Sequence, residues 1–227
     1  MVKRSICKVV VLLVSVPLYA GAGGLGGFTI GAGFPCIQSL NERLKPYTLT
    51  LKTLMVITGG SGYAFGRGVI IGGFGYGGST SSENTNQMLD LSAGGGGFEI
   101  GRIWNTGPGV FALMATIGGF GYKLTIRPKL TDIEFDSLIL NPRRIAKLSS
   151  GSVLLGVSGM LILPITGIFS LGLKAGLYYT PFTKGWKLED GAAVFNSPHI
   201  NQLTYSLQTM VLLGKIIPTK HLKPTEN

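Results

Sequence analysis

Residues 167–180 alternate with a period of two. Phe169, Leu171, Leu173, Ala175, Leu177 and Tyr179 take the odd positions, and Ser170, Gly172, Lys174, Gly176 and Thr180 lie among the even ones. The same alternation sets Val153, Leu155, Val157, Leu161 and Leu163 against Ser152, Gly156 and Ser158. It also sets Leu203, Tyr205, Leu207, Val211 and Leu213 against Thr204, Ser206 and Gln208. Successive side chains on a strand point to opposite faces, so the pattern predicts β-strands with one apolar face. Carried along the chain, it predicts eight strands, at 24–34, 49–65, 66–78, 87–104, 108–126, 151–163, 167–180 and 203–217. Such runs are longer than the roughly 5–6 residues of an ordinary globular strand, and they match tilted membrane strands of about 9–11 residues or more. Even-numbered antiparallel barrels begin at eight strands, with an interior that side chains can just fill. The expected fold class is therefore all-β: an antiparallel up-and-down transmembrane β-barrel of about eight strands.

One unit of this pattern occurs twice. Ile71-Gly72-Gly73-Phe74-Gly75-Tyr76 returns as Ile117-Gly118-Gly119-Phe120-Gly121-Tyr122. Each copy follows another glycine block, Gly59-Gly60-Ser61-Gly62-Tyr63 and then Gly94-Gly95-Gly96-Gly97-Phe98. Each unit reads as a β-hairpin. Glycine weakens a strand, so its concentration needs a cause, and a narrow, tightly curved barrel with a crowded interior supplies one. Parity puts Gly73, Gly75 and Gly77 on one face and Phe74 and Tyr76 on the other. Glycine is then expected to relieve the interior, and aromatics to suit the girdles at a membrane interface. Gly73-x-Gly75-x-x-Gly78 formally matches a dinucleotide fingerprint. No helix follows it, so the match reflects glycine content.

Other patterns fill in the ends and connections. Residues 1–22 have the three parts of a secretory signal: Lys3-Arg4, the apolar run Val9–Val14, and a small-residue cleavage site in Tyr19-Ala20-Gly21-Ala22. The expected division is a signal peptide at 1–22, a barrel at 23–217 and a polar tail at 218–227. Between the first two strands, Ile37, Leu40 and Leu44 form one apolar stripe of a short helix at about 36–44, ended by Pro46. That helix is expected either to plug one barrel mouth or to lie over a loop. Asn105-Thr106-Gly107-Pro108-Gly109 signals a turn, Ser79–Asn86 an exposed polar loop, and 127–150 a long charged loop. Gly151–Leu173 is uncharged and long enough for a spanning helix, but Pro164, Gly167 and the period of two argue against that reading.

Composition narrows the function classes. Glycine is 36 of 227 residues, against an average near 7%, while hydrophobic residues are 45% and charged residues only 13%. This favours lipid surroundings over a disordered linker. The formal charge is +10, of which Lys3, Arg4 and Lys8 fall in the leader. The remaining bases are dispersed, which suits anionic lipid head groups and does not suit nucleic acid. No cofactor motif, catalytic set or metal-ligand spacing stands out. His199 and His221 have no Cys or carboxylate neighbours at ligand spacing. Cys36 stands alone once Cys7 is removed. Glu99 and Lys174 fall within predicted strands, and charges at such depth are expected to face the lumen, where they pair with each other or with Arg102.

The chain is similar to uncharacterised glycine-rich exported outer-membrane β-barrel proteins of bacteria. The resemblance rests on Gly24–Gly33 with the helix Leu40–Leu44, the doubled Gly-Gly-Phe-Gly-Tyr units, Leu171–Tyr179 and Pro181–Trp186. It implies an outer-membrane location after export and brings no activity with it. The polar stretch Pro218–Asn227 departs from barrels that end on an aromatic strand residue. The leading functional expectation is a structural or surface-interacting barrel without catalysis. The alternatives are a small-solute or lipid-binding barrel, a lipid-modifying barrel enzyme using His199, and a soluble glycine-rich β-sandwich.

Overall fold

The computed structural model describes residues 22–129, 145–181, 185–198 and 203–217. All but the last residue of the expected signal peptide, the C-terminal tail, His199, His221 and most of the charged loop lie outside these residues. The strands are β1 (Ala22–Pro35), β2 (Met55–Gly66), β3 (Val69–Glu83), β4 (Gln87–Asn105), β5 (Val110–Pro128), β6 (Ala146–Pro164), β7 (Phe169–Tyr179), the two-residue β8 (Lys187–Leu188) and β9 (Leu203–Ile217). A helix, α1 (Gln38–Leu44), runs into a 3-10 turn at Lys45–Tyr47. Every pairing is antiparallel, in the order β5-β4-β3-β2-β1-β9-β7-β6. A further β5–β6 ladder joins the two ends, so eight strands form a closed barrel and β8 adds only a short pairing to β6.

The closure is staggered. Paired positions starting at Ile30 lead one way through Thr58, Gly77, Gly94 and Gly121 to Gly151. The other way they lead through Thr209 and Leu173 to Leu161, ten residues further along the same strand. Such an offset means that the strands tilt against the barrel axis.

The two ends of the barrel differ. Short turns close one end. Arg67 and Gly68 both have positive φ (52° and 80°), as a two-residue type I′ hairpin requires. The β4–β5 turn bonds the Thr106 amide to the Gly109 carbonyl, and residues 165–168 join β6 to β7. The opposite end carries the longer connections, including α1 and β8. There the structure corrects three expected boundaries, the first at the charged loop, whose residues 127–128 end β5 and whose residues 146–150 open β6 in a ladder with β5. Ser79–Glu83 continues β3, and the polar loop shrinks to residues 84–86, where the Asn84 side chain accepts the Asn86 and Gln87 amides. Paired with β4, the polar residues of β3 satisfy their backbone in a ladder and need no loop. Residues 49–54 are irregular where a strand was expected, and the Asn41 side chain pairs with both backbone groups of Leu51 in place of a ladder.

The faces also depart from expectation. In both copies of the repeat the aromatics point inward: Phe120 and Tyr122 are buried, and Phe74 and Tyr76 pack against the same inner cluster. Gly73, Gly75, Gly77, Gly119 and Gly121 have the opposite parity and lie on the outside. The reason is volume. A lumen bounded by eight staggered strands must be filled, and aromatic rings fill it while inward glycines make room for them. Gly156 and Gly176 do so for the fully buried Tyr178, whose ring atoms lie 2.5 Å from where either glycine would carry a Cβ. The outer face is apolar, with Phe98 at 72% and Val56 at 63% exposure. The helix stripe resolves as a plug. Ile37 and Leu40 are buried with Leu51, Leu89, Leu91, Leu154 and Trp186 in the long-loop mouth, and Leu44 packs against them.

Replacing Gly176 with Val should crowd Tyr178 and destabilise the barrel by about 1–3 kcal/mol, the usual cost of overpacking. Gly151→Ala, with nothing within 4 Å of its added Cβ, should stay within about 0.5 kcal/mol of the parent. Urea midpoints of the two variants in detergent measure the contrast.

Candidate functional site

The lumen is arranged in layers. At the short-turn end, Leu25, Phe65, Ile70, Ile103, Met114, Met160, Met210 and Leu212 make an apolar layer. At the long-loop end, the aromatics and the α1 plug make another. Between them sits a polar cluster built by strand parity. On β4 the inward residues include Leu89, Leu91, Ala93, Gly95, Gly97, Glu99, Gly101 and Ile103, and on β7 they include Ser170, Lys174 and Tyr178.

Glu99 and Lys174 meet across the lumen. The Lys174 ammonium lies 2.6 and 2.7 Å from the two Glu99 carboxylate oxygens, and both side chains are at most 1% exposed. Glu99 also accepts hydrogen bonds from Tyr63 Oη (2.8 Å), Thr116 Oγ1 (3.1 Å) and Ser158 Oγ (3.0 Å). Lys174 donates a further bond to Tyr63 Oη at 3.1 Å and lies 4.8 Å from the centroid of the Phe74 ring. One carboxylate is thus held by groups from β2, β5, β6 and β7. Burying a charge without a partner is costly, and here each charge faces its opposite and the hydrogen-bonding capacity is used.

Arg102 does not join this pair. It lies three positions beyond Glu99, so it has the opposite parity and sits half-buried on the outer side of β4, near the short-turn end. An odd separation along a strand always reverses the face. The dinucleotide-like glycines Gly73, Gly75 and Gly78 fall inside β3, away from any helix start. Sequence reasoning did not single out Tyr63, Thr116 or Ser158. Their inward parity was readable, but their convergence on Glu99 depends on registers across the barrel.

The arrangement holds charge in place and offers little for chemistry. Ser158 and Thr116 donate to a carboxylate already neutralised by Lys174, and the cluster is sealed above and below by apolar side chains. A cavity of about 20 Å³ lies nearer the long-loop end, bounded by Met55, Ile57, Tyr76, Phe120, Thr204 and Ser206. The Tyr76 hydroxyl is buried without a hydrogen-bond partner. A space of this size holds about one water. Among the described residues no three His, Cys, Asp or Glu side chains group as a metal site would require.

No family model matches the chain, and no curated protein matches it. Solved structures do. A major outer membrane protein from Thermus thermophilus aligns at a TM-score of 0.51 and 8% identity, covering 85% of this chain and 98% of that one. Neisserial surface protein A aligns at 0.42 and 9% identity, covering 86% and 97% of the two chains. Ail, the attachment invasion locus protein of Yersinia pestis, aligns at 0.42 and 9%, covering 87% and 99%. The Thermus likeness is one of fold, and it agrees with the closed eight-stranded ladder. The class is thus a small antiparallel β-barrel.

Glu99→Leu strands a buried lysine and Lys174→Met a buried carboxylate, each at a cost of about 3–5 kcal/mol, whereas the two combined should be less destabilised than either single variant. Denaturant unfolding of the four proteins in detergent tests this. Losses that simply add would show that the pair is not coupled.

Proposed function

We propose that the chain is an outer-membrane β-barrel whose filled lumen makes it a wall element, and whose long-loop end serves surface interactions. The single observation that carries this reading is a closed barrel filled by side chains and apolar on its outside. The outward side chains Phe28, Ile30, Ile71, Phe98, Ile100 and Ile117 are exposed on isolated barrels, and a lipid phase is the surrounding that suits them. Trp104 and Phe111 pair on the outer face at the short-turn end, and Phe34, Tyr179 and Tyr205 sit outward at the other. Aromatic bands at two levels are what membrane interfaces favour.

The filled lumen speaks against transport and against binding of a solute, since a ligand-sized pocket would run to hundreds of Å³. The saturated Glu99–Lys174 cluster speaks for a structural role. Anionic lipid head groups are the expected small partners, and the segment ahead of β1 is read as an export signal. By the usual asymmetry of such barrels, the short turns face the periplasm and the long connections face outward.

Heat-modifiability on a denaturing gel tests the fold in the membrane fraction: the unboiled protein should migrate faster than the boiled one. Topology follows from cysteine labelling in a Cys36→Ser background. Phe195→Cys, at the long-loop end and 92% exposed, should react with an impermeant maleimide on intact cells, whereas Ile165→Cys, at the short-turn end, should react only after permeabilisation. Steady single-channel currents from the reconstituted protein would overturn the filled-lumen reading.

A further inference from the structure

We propose that the outer wall of β4, β5 and β6 carries a docking site for the phosphate of an anionic lipid, centred on Lys123. The inference rests on the membrane-barrel reading and adds a place and a chemistry to it. On the outer face of β5, the positions from Phe111 through Leu113, Ala115, Ile117, Gly119 and Gly121 carry no charge. Lys123 is the first cation above them, and it marks a boundary that runs across the sheet. Its register partners are Ser92 on β4 and Ser149 on β6, and Ser92 in turn pairs with Ser79 on β3. One row below lie Gly77, Gly94, Gly121 and Gly151. A hydroxyl-and-lysine row thus stands directly on a row without side chains.

The result is a depression of about 540 Å³ on the outer wall, lined by Ser92, Gly94, Gly121, Lys123, Ser149 and Gly151. Charge pairing separates Lys123 from its neighbours. Arg127 pairs with Asp90 at 3.0 Å, Lys129 with Glu83 at 3.3 Å, and Lys147 with Glu189 at 3.1 Å. Among the described residues Lys123 has no carboxylate partner, and the nearest acid on β4, Asp90, is engaged by Arg127. An unbalanced cation on a lipid-facing wall, at the edge of the apolar band, is complementary to a lipid phosphate at that level. Ser92 and Ser149 on either side can donate hydrogen bonds to phosphate oxygens. The glycines beneath leave a trough in which an acyl chain can lie against the backbone. A free phosphate would use the lysine and the serines only, whereas a lipid uses the trough as well.

The test is native mass spectrometry of the folded barrel in detergent, with dioleoyl phosphatidic acid, dioleoyl phosphatidylcholine and inorganic phosphate as separate probes. Phosphatidic acid should be retained in preference to phosphatidylcholine. Lys123→Gln should weaken that retention about fivefold, the scale of one cation at an anionic membrane surface. Lys123→Arg should largely keep it, Gly121→Leu should reduce it by filling the trough, and Lys52→Gln on an exposed loop should leave it unchanged. Equal retention of the two lipids, no effect of Lys123→Gln, or competition by inorganic phosphate at concentrations matching the lipid would each overturn the site. The heat shift of each variant keeps the two readings apart. A folded barrel that ignores phosphatidic acid removes this site alone, and a chain that never shows the shift removes the membrane-barrel reading beneath it.

Discussion

The closing ladder between β5 and β6 is the constraint from which the other features follow. Seven neighbouring pairings would leave β5 and β6 as edges with unpaired backbone groups, and the eighth removes both. Once the sheet is closed with a stagger of ten residues, the diameter is set, and the inward half of every strand must occupy a fixed volume. Glycine and aromatic residues answer that demand together. Tyr178 fits in the lumen because Gly156 and Gly176 beside it have no side chains; the Phe74 and Tyr76 rings pack against it, and Tyr76 carries the contact on to Phe120 and Tyr122.

A cylinder filled only with apolar side chains would meet this volume demand without a charge. Instead, four strands converge on Glu99 of β4. A buried ion pair of this kind is weak evidence for added stability, since an apolar replacement of the same shape is often as good. Its geometric effect is firmer. Tyr63, Thr116, Ser158 and Lys174 reach one carboxylate only when β2, β5, β6 and β7 are each in the observed register. A slip of one residue on any of them turns the inward side chain to the outer face and leaves a buried charge short of partners. The pair therefore discriminates among registers that glycine-rich strands, with few side chains to distinguish them, would otherwise tolerate. The repeated Gly-Gly-Phe-Gly-Tyr unit makes such discrimination useful, because its two copies present nearly the same faces.

The outside is organised by the same parity. Each inward aromatic of the repeat leaves an outward glycine beside it, so packing of the lumen produces a smooth belt on the opposite surface. Polar residues begin above that belt along one register row, from Ser79 through Ser92 and Lys123 to Ser149. Interior filling and outer relief are thus two views of one alternating sequence.

Local pattern was enough for the strand number, the short helix between β1 and β2, the turn at Asn105–Gly109 and the division of each repeat into two faces. Each follows from a period of two, a three-to-four-residue apolar stripe or a turn residue, all of which are written within a few positions of one another. Which face turned inward was not written there, because glycine and aromatic faces are both plausible linings until the barrel's diameter is known. The same limit applied to Ser79–Glu83, where a polar run became strand because β4 stood ready to pair with it. Glu99 and Lys174 were visible as strand charges, yet their meeting, the exclusion of Arg102 and the hydroxyls around them depend on residues 17 to 111 positions apart. The sequence by itself determined the strands and the two faces of each. Closure and register, which are properties of all eight strands at once, decided which face became the core and which charges met inside it.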